Sequence, residues 1–230
     1  MDDNKIRLFL FDIDGTLIDA GGAGRRSIEK AFLKIYGVDR AFNGEKFTGR
    51  TDPAIFRTAY KKHFSGEPSK EEIRVFFDAY LDFLETEVAL SENYKVLKGV
   101  REALDFLSAR KDVLLGLSTG NIEAGGRIKL ERGGLNRYFR FGGFGSDSEE
   151  RVALTSAAIE RASEILGWAI DRKNIYVIGD SPHDVNAANA LSVNSVAVAS
   201  GWSAADELME CRPAYFIPDM GALVSAINFF

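Results

Sequence analysis

Cysteine is almost absent from this chain, and Cys211 is the only one among 230 residues. A single thiol excludes an intrachain disulfide, and it also excludes a structural zinc site built from several cysteines. Chains without disulfides are typical of reducing compartments. We therefore predict a cytoplasmic location for this protein.

Long apolar runs and an excess of basic residues are also missing. No stretch approaches the roughly 18 consecutive apolar residues of a membrane span, and the apolar segment behind the acidic N-terminus is too short for a signal-peptide core. The formal net charge is −5 and the pI is about 5.3, whereas nucleic-acid binding depends on a clustered basic surface. We expect no membrane and no nucleic acid as a partner, although a local patch such as Arg25-Arg26 leaves an alternative open.

The most informative stretch that is present runs from Leu8 to Leu17. Its apolar first half is typical of a strand buried on both faces of a parallel sheet, yet the run ends in Asp12 and Asp14. A spacing of two residues points both carboxylates the same way if the strand continues. Ligands of open α/β sheets bind beyond the carboxyl ends of the strands, so the two acids are a candidate site.

Two adjacent carboxylates repel each other and need a cation if both are to stay ionised. Mg²⁺ prefers oxygen ligands, and a bound ion would leave one carboxylate oxygen free to attack a phosphorus atom. A calcium loop of the EF-hand type is discounted, because the twelfth position counted from Asp12 is Ala23 instead of glutamate. A plain turn built on Asp-x-Asp-Gly is the remaining alternative.

A second apolar run, from Val113 to Ser118, ends in small polar residues. The backbone and hydroxyl groups of this turn suit a phosphate, which the N–H groups of the following helix would also attract. A plain turn with a helix cap would have the same composition. The candidate residues are Thr119, Gly120 and Asn121.

A third apolar run, over residues 174–179, ends in Asp180, and Asp184 follows four residues later. A helix that starts at Ser181 with proline in its first turn explains Asp184. It does not explain Asp180, because an acid directly after a buried strand is what a metal ligand would look like. We therefore predict that Asp180 belongs to the same site as the first two acids.

The segment after the first strand follows a helical pattern. Apolar residues recur at helical spacing in three stretches that end near Tyr36, His63 and Ala89. We predict a small all-helical domain over residues 18–95, inserted into a core of residues 1–17 and 96–230. About six strand candidates alternate with helices in the core, which indicates an α/β fold with a doubly wound, Rossmann-like parallel sheet.

The residues Phe11-Asp12-Ile13-Asp14-Gly15-Thr16-Leu17 resemble the first motif of the haloacid dehalogenase-like hydrolases, most of which are Mg²⁺-dependent phosphatases. The other two strand ends fall in the order of the family's second and fourth motifs. The resemblance implies that Asp12 is the nucleophile and that Asp14 is the general acid and base. It further implies phosphate binding by Thr119 with Gly120 and Asn121, and Mg²⁺ binding by Asp12, the main-chain carbonyl of Asp14, Asp180 and Asp184.

In this family an insertion after the first strand is a mobile cap that closes over the substrate and helps to select it. The residues Gly49-Arg50-Thr51-Asp52 resemble the cap turn of phosphoglycolate phosphatase-like members, which makes Arg50 a candidate for contacting the leaving group. A solvated arginine beside a helix N-cap is the alternative. The two histidines, His63 and His183, are interpreted as bystanders.

The family usually places a lysine near the start of the helix that precedes the fourth motif, and this sequence has none there. Arg151 is the natural substitute, because a guanidinium is permanently charged and grips both carboxylate and phosphate oxygens. A surface ion pair of Arg151 with Asp147 or Glu150 is the alternative. Lys129 is set aside, since it lies well inside an earlier helix.

The resemblance implies hydrolysis of a small phosphate monoester, such as phosphoglycolate or a sugar phosphate, through an aspartyl-phosphate. A phosphoglucomutase-like enzyme would share every core residue and stays an alternative. A metal-independent dehalogenase would need neither Asp14 nor Asp180, and a non-catalytic binding module would be expected to lack one of the four acids. The expected partner is a small phosphorylated metabolite, and the chain is expected to be a monomer or a homodimer.

Overall fold

A computed structural model describes residues 6–226, so residues 1–5 and 227–230 of the predicted core domain lie outside the described part. The strands are β1 Arg7–Phe11, β2 Ile18–Asp19, β3 Lys95–Val96, β4 Val113–Ser118, β5 Gly142–Gly143, β6 Ile175–Gly179, β7 Asn194–Val198 and β8 Tyr215–Ile217. The α-helices are α1 Ala23–Tyr36, α2 Asp52–His63, α3 Lys70–Leu90, α4 Val100–Ser108, α5 Glu123–Arg132, α6 Arg151–Leu166, α7 Pro182–Ala190, α8 Ala205–Glu210 and α9 Gly221–Ala226.

Six strands form one sheet in the order β5-β4-β1-β6-β7-β8, and every neighbouring pair is parallel. The predicted α/β fold with a parallel sheet is therefore confirmed. β1 lies at the centre, and its residues Leu8 to Phe11 are fully buried, as expected for a strand that packs on both faces. The carboxyl ends of β1, β4 and β6 consequently meet at one edge of the sheet.

Helices α1, α2 and α3 pack together beyond that edge. Their contact is aromatic: Phe32, Phe56 and Phe76 are buried, and the rings of Phe56 and Phe76 stack with centroids 4.1 Å apart. Thr51 caps α2 by accepting a hydrogen bond from the N–H of Ala54, 3.3 Å away. Within the described residues no helix is long and apolar enough to cross a bilayer.

A short antiparallel ribbon joins this helical segment to the sheet, with Ile18 opposite Val96 and Asp19 opposite Lys95. The sequence analysis did not predict the ribbon, because two-residue strands carry no periodic pattern. The segment between its strands corresponds to the predicted inserted domain, but the division of the chain at residues 17 and 96 stays a prediction.

Candidate active site

Asp12 follows the last residue of β1 and begins the site. Its backbone N–H donates a hydrogen bond to the carbonyl of Ile178, 2.9 Å away, so the chain leaves the sheet only after this residue. The side chain is largely buried, and the residue is 6% exposed. Because β1 lies between β4 and β6, the turns that follow those two strands flank Asp12, which brings Thr119 and Asp180 to it.

The turn after Asp12 requires glycine at position 15. Gly15 has a φ of +82°, which L side chains rarely adopt, and a Cβ built there would lie 2.3 Å from Oδ2 of Asp180. The Asp-x-Asp-Gly turn therefore packs directly against the acid of another strand. A plain surface turn would not need this close approach.

Three acids meet at the strand ends. One carboxylate oxygen each from Asp12, Asp180 and Asp184 lies within 4.8 Å of the other two, and Asp180 and Asp184 are only 2% and 1% exposed. Burial, followed by repulsion from Asp12 and Asp184, raises the pKa of Asp180 to about 8. Such a set of oxygen donors with uncompensated charge fits a hard divalent cation.

Arg151 opposes part of this charge. Its guanidinium Nη2 lies 3.1 Å from Oδ1 of Asp12 and donates to Oδ1 of Asp184 and to the carbonyl of Ser118. Despite this pair, burial raises the pKa of Asp12 to about 6. Asp147, which the sequence analysis considered as a surface partner for Arg151, pairs with Arg161 instead.

Asp14 has partners other than the acid cluster. Its Oδ2 accepts hydrogen bonds from Nζ of Lys129 at 2.6 Å and from Nδ2 of Asn121 at 2.9 Å. Among the residues that the structure describes, its carboxylate does not belong to the cluster of Asp12, Asp180 and Asp184. A metal contact through its main-chain carbonyl therefore stays a prediction. The two acids of the first motif thus have separate cationic partners.

Lys129 reaches the site even though the sequence analysis set it aside. It is 5% exposed and also donates to Oδ1 of Asn121 at 2.6 Å. Helix α5 buries the face that carries Gly125, Gly126, Lys129 and Leu130, so this lysine points back towards the end of β1. The pair Gly125-Gly126, one turn before Lys129, could have predicted that this face of α5 is buried, because two small residues mark a face that packs closely.

The turn after β4 carries the predicted phosphate-binding residues. Thr119 is fully buried, and its hydroxyl accepts hydrogen bonds from the N–H and the side-chain amide of Asn121 at 3.3 and 2.8 Å. The carbonyl of Gly120 accepts from the N–H of Asp52 at 2.8 Å. A Cβ on Gly120 would lie 2.4 Å from the carbonyl oxygen of Arg50, so the helical segment touches this turn directly.

Arg50 lies in the wall of the site, but its guanidinium is paired within the helical segment. It donates to Oγ1 of Thr58 at 2.6 Å and to the carbonyl of Ala54 at 3.2 Å, and it lies 3.6 Å from Glu45. The side chain is therefore not a free, solvated arginine, and its partners lie within the helical segment. A contact between Arg50 and a substrate stays a prediction.

One cavity of about 950 Å³ joins these parts. The turns after β1, β4 and β6 line one wall of this cavity, together with Lys129 of α5 and Arg151 of α6, while Asp184 does not line it. Helices α1 and α2 with the loop between them form the opposite wall. His183 and Trp202 also line it, although the sequence analysis treated His183 as a bystander and did not name Trp202. His63 lies elsewhere, with its ring 6.0 Å from that of Phe32. The cavity residues with a polar or charged role in the site are Asp12, Asp14, Arg50, Thr119, Asn121, Lys129, Arg151 and Asp180.

Asp180→Asn should stabilise the metal-free protein at high pH. Folding raises the pKa of Asp180 to about 8, whereas in the unfolded chain the same carboxyl loses its proton near pH 4. Between these two values the folded protein holds a proton that the unfolded chain does not. The free energy of unfolding of wild type should therefore fall as pH rises from about 4 to about 8. The neutral amide of asparagine removes the cost of holding a buried negative charge. At pH 8 in chelator we therefore expect the free energy of unfolding of the variant to be about 2 kcal/mol higher than that of wild type.

Urea denaturation at pH 5 and pH 8 measures this difference, and the gain should shrink at pH 5. Added Mg²⁺ should stabilise wild type but not the variant, because ligand binding stabilises only a folded state that holds the site. Asp180 accepts hydrogen bonds from the hydroxyl of Thr16 and the N–H of Trp202. A variant less stable than wild type in chelator at pH 8 would show that these bonds already compensate the burial of Asp180.

Sequence comparisons place the chain among known proteins. Residues 9–198 match the model of a family described as haloacid dehalogenase-like hydrolase. A phosphoglycolate phosphatase of Pseudomonas savastanoi pv. phaseolicola is 27% identical over 227 residues, which cover 95% of this chain and 78% of that protein. The pyrophosphatase PpaX of Listeria welshimeri is 25% identical over 224 residues, which cover 97% of each chain.

Among solved structures, CbbY from Rhodobacter sphaeroides in complex with phosphate aligns with a TM-score of 0.75 at 17% identity, covering 95% of this chain and 96% of that one. A likeness at this identity shows the fold. The family match extends over most of the sequence and includes the ends of β1, β4 and β6. The chain therefore belongs to the haloacid dehalogenase-like hydrolases, as its first motif predicted.

Proposed function

We propose that this protein is a Mg²⁺-dependent phosphatase that hydrolyses a small phosphate monoester through an aspartyl-phosphate. The observation that carries the proposal is the position of Asp12, which directly follows the central strand. It lies 3.1 Å from Arg151 and has a carboxylate oxygen within 4.8 Å of those of two other acids. A carboxylate between a cation site and a guanidinium is suited to attack a phosphate, because both cations offset the combined negative charge.

Asp12, Asp180 and Asp184 are the proposed Mg²⁺ ligands, with the main-chain carbonyl of Asp14 as a further one. The three carboxylates are buried and lie close together, and oxygen donors are the ligands that Mg²⁺ prefers. When bound, the ion would neutralise the acids and polarise the phosphoryl oxygens.

In the first step, Asp12 attacks the phosphorus. A bond forms between its carboxylate oxygen and phosphorus, and the ester P–O bond breaks. Asp14, which must be protonated when the substrate binds, gives its proton to the leaving oxygen. Arg151 holds Asp12 and offsets the charge of the phosphoryl group, while Thr119 binds a phosphate oxygen through its hydroxyl. Gly120 and Asn121 complete the turn that receives the phosphate.

In the second step, a water molecule attacks the phosphorus of the aspartyl-phosphate. Asp14 takes a proton from this water, and the P–O bond to Asp12 breaks. The products are inorganic phosphate and an alcohol, and both acids return to their starting states. Asp14 suits this alternation because its carboxylate is 28% exposed and faces the cavity.

The cavity supports a substrate larger than phosphate alone. Its volume of about 950 Å³ leaves room for a leaving group, and the helical segment supplies the wall opposite the acids, as a substrate-selecting cap would. Relatives named as a phosphoglycolate phosphatase and a pyrophosphatase support a small phosphorylated metabolite. Arg50 is the proposed contact for the leaving group, while the cytoplasmic location and the oligomeric state stay predictions.

Phosphate release tests the proposed function. The purified chain is incubated with p-nitrophenyl phosphate, phosphoglycolate, pyrophosphate or glucose 1-phosphate, each with Mg²⁺ and with EDTA. We expect release of inorganic phosphate from at least one of the monoesters, reduced about 100-fold or more by EDTA. Parallel assays for isomerised sugar phosphate and for halide release from a haloacid detect the mutase and dehalogenase alternatives. Turnover that does not change with EDTA would contradict the proposal.

A further inference from the structure

Lys129 is a buried cation that pairs with Asp14. Its Nζ lies 2.6 Å from Oδ2 of Asp14 and 2.6 Å from Oδ1 of Asn121. Burial alone would lower the pKa of Lys129, but the charges of Asp14 and Asp52 outweigh burial and the net pKa is raised. The ammonium group is therefore charged at neutral pH and held by its surroundings.

Asp52 brings the helical segment to the start of α5. Its carboxylate accepts a hydrogen bond from the N–H of Ile122 at 2.9 Å, and its own N–H donates to the carbonyl of Gly120 at 2.8 Å. Tyr80, in α3, lies near the same carboxylate, and burial together with that charge raises the pKa of its hydroxyl. The charge of Asp52 also acts on Lys129, in addition to that of Asp14.

Helix α1 closes a further side. A Cβ built on Gly24 would lie 3.1 Å from Nζ of Lys129 and 4.0 Å from the hydroxyl oxygen of Tyr80. The lysine therefore has little room to move while α1 and α3 are packed on α5. Residues from the helical segment and residues from the core together enclose its ammonium group.

We infer that Lys129 is a positioning residue for Asp14 and that the helical segment, through the close approach of Gly24 and the negative charge of Asp52, keeps Lys129 in place, so that docking of this segment orients the group that transfers protons. The inference rests on the proposed function, in which Asp14 is the general acid and base. Arg151 holds Asp12, whereas Lys129 holds Asp14. The two cations therefore act on separate parts of the reaction.

This separation predicts which step depends on Lys129. Proton transfer needs Asp14 within hydrogen-bond reach of the reacting oxygen, and loss of Lys129 would leave the carboxylate held by the amide of Asn121. Attack by Asp12 on a substrate with a leaving group that needs no proton should proceed normally. Hydrolysis of the aspartyl-phosphate, in which Asp14 acts as a base, should slow.

Rapid mixing of Lys129→Met with p-nitrophenyl phosphate and Mg²⁺ tests the inference, because p-nitrophenolate leaves without protonation. We expect a fast burst of about one nitrophenolate per enzyme, followed by steady turnover about 100-fold slower than wild type. With an alkyl phosphate the burst should disappear, since its leaving oxygen must be protonated. Lys98→Met, at an exposed lysine, serves as the control and should match wild type.

A double-mutant cycle separates positioning from a general structural role. Asp14→Asn should slow the same step, and Lys129→Met combined with Asp14→Asn should be no slower than Asp14→Asn alone, because both changes remove one interaction. Lys129→Arg should restore part of the rate. Gly24→Ala keeps every charge and favours helix, yet its methyl group displaces Nζ, so we expect several-fold slower steady turnover and undiminished stability.

Asp52→Asn tests the second half of the inference. The amide oxygen still accepts from Ile122, so the turn keeps its hydrogen bond, but the charge that holds Lys129 is lost. We expect the same burst pattern with a smaller reduction in steady turnover. An unchanged rate would show that Asp52 does not act on Lys129.

The inference is wrong if Lys129→Met slows the burst and the steady phase equally, or if its effect adds fully to that of Asp14→Asn. Failure of the proposed function gives a different result. In that case wild type would release no phosphate, or Asp12→Asn would release it as fast as wild type.

Discussion

Asp12→Asn is expected to lower kcat for phosphate release by about 10⁴-fold or more, with the fold unchanged. An amide nitrogen or oxygen is a poor nucleophile towards phosphorus, so no covalent intermediate would form. The substitution is nearly isosteric, and the amide oxygen would still accept from Arg151, which lies 3.1 Å from Oδ1 of Asp12. The loss should therefore be chemical rather than structural.

Steady-state phosphate release with Mg²⁺ measures this effect, and thermal unfolding checks the fold. Asp206→Asn, at an exposed acid in the first turn of α8, is the matched control and should keep wild-type activity. Borohydride quenching during turnover should convert the aspartyl-phosphate of wild type to homoserine at position 12, which peptide mass spectrometry detects. Homoserine at another aspartate, or a variant with more than a tenth of wild-type activity, would exclude Asp12 as the nucleophile.

Arg151→Met is expected to lower the free energy of unfolding in chelator by about 3–5 kcal/mol, because it leaves buried acids without their partner. The guanidinium is 7% exposed and contacts Asp12, Asp184 and the carbonyl of Ser118. Methionine matches only the aliphatic part of the side chain, so the loss combines the missing charge and hydrogen bonds with the buried space that the guanidinium filled. Arg151→Lys should lose less, since an ammonium keeps the charge but not the fork of donors.

Urea denaturation with and without Mg²⁺ measures the effect, and the ion should restore part of the stability of Arg151→Met if it binds the same acids. Arg74→Met is the control, because Arg74 pairs with Glu71 and Asp78 on the surface of α3 and should contribute less than about 1 kcal/mol. A loss below about 1 kcal/mol for Arg151→Met would mean that other groups already compensate the charge of the buried acids.

The strand ends that form the site are predictable because a strand buried on both faces excludes charge until the chain leaves the sheet. This constraint makes Asp12 and Asp180 visible as acids that directly follow apolar runs. Strand order adds what the sequence pattern does not contain. Only the order β4-β1-β6 across the sheet shows that Thr119 and Asp180 flank Asp12 on opposite sides.

Short and glycine-rich elements were harder to predict. The β2–β3 ribbon has two residues in each strand, too few for a period. Helix α1 begins at Ala23 and includes Gly24, whose low helix propensity argues against a helix at this point of the sequence. The close approach of Gly24 to Lys129 is visible only in the folded chain. The role of Gly15 depended on the side chain of Asp180, which lies at the end of another strand and far away in the sequence.

The α/β class and the acids at the ends of the strands could be predicted from the sequence, because burial and turn chemistry act over a few neighbouring residues, and the first motif indicated the hydrolase family by resemblance. Which cation pairs with which acid could be seen only in the folded chain. Arg151 faces Asp12, and Lys129 faces Asp14 from the inward side of a helix whose rotation is set by packing against α3 and the turn after β1. No local pattern encodes that rotation, since it depends on elements far apart in the chain.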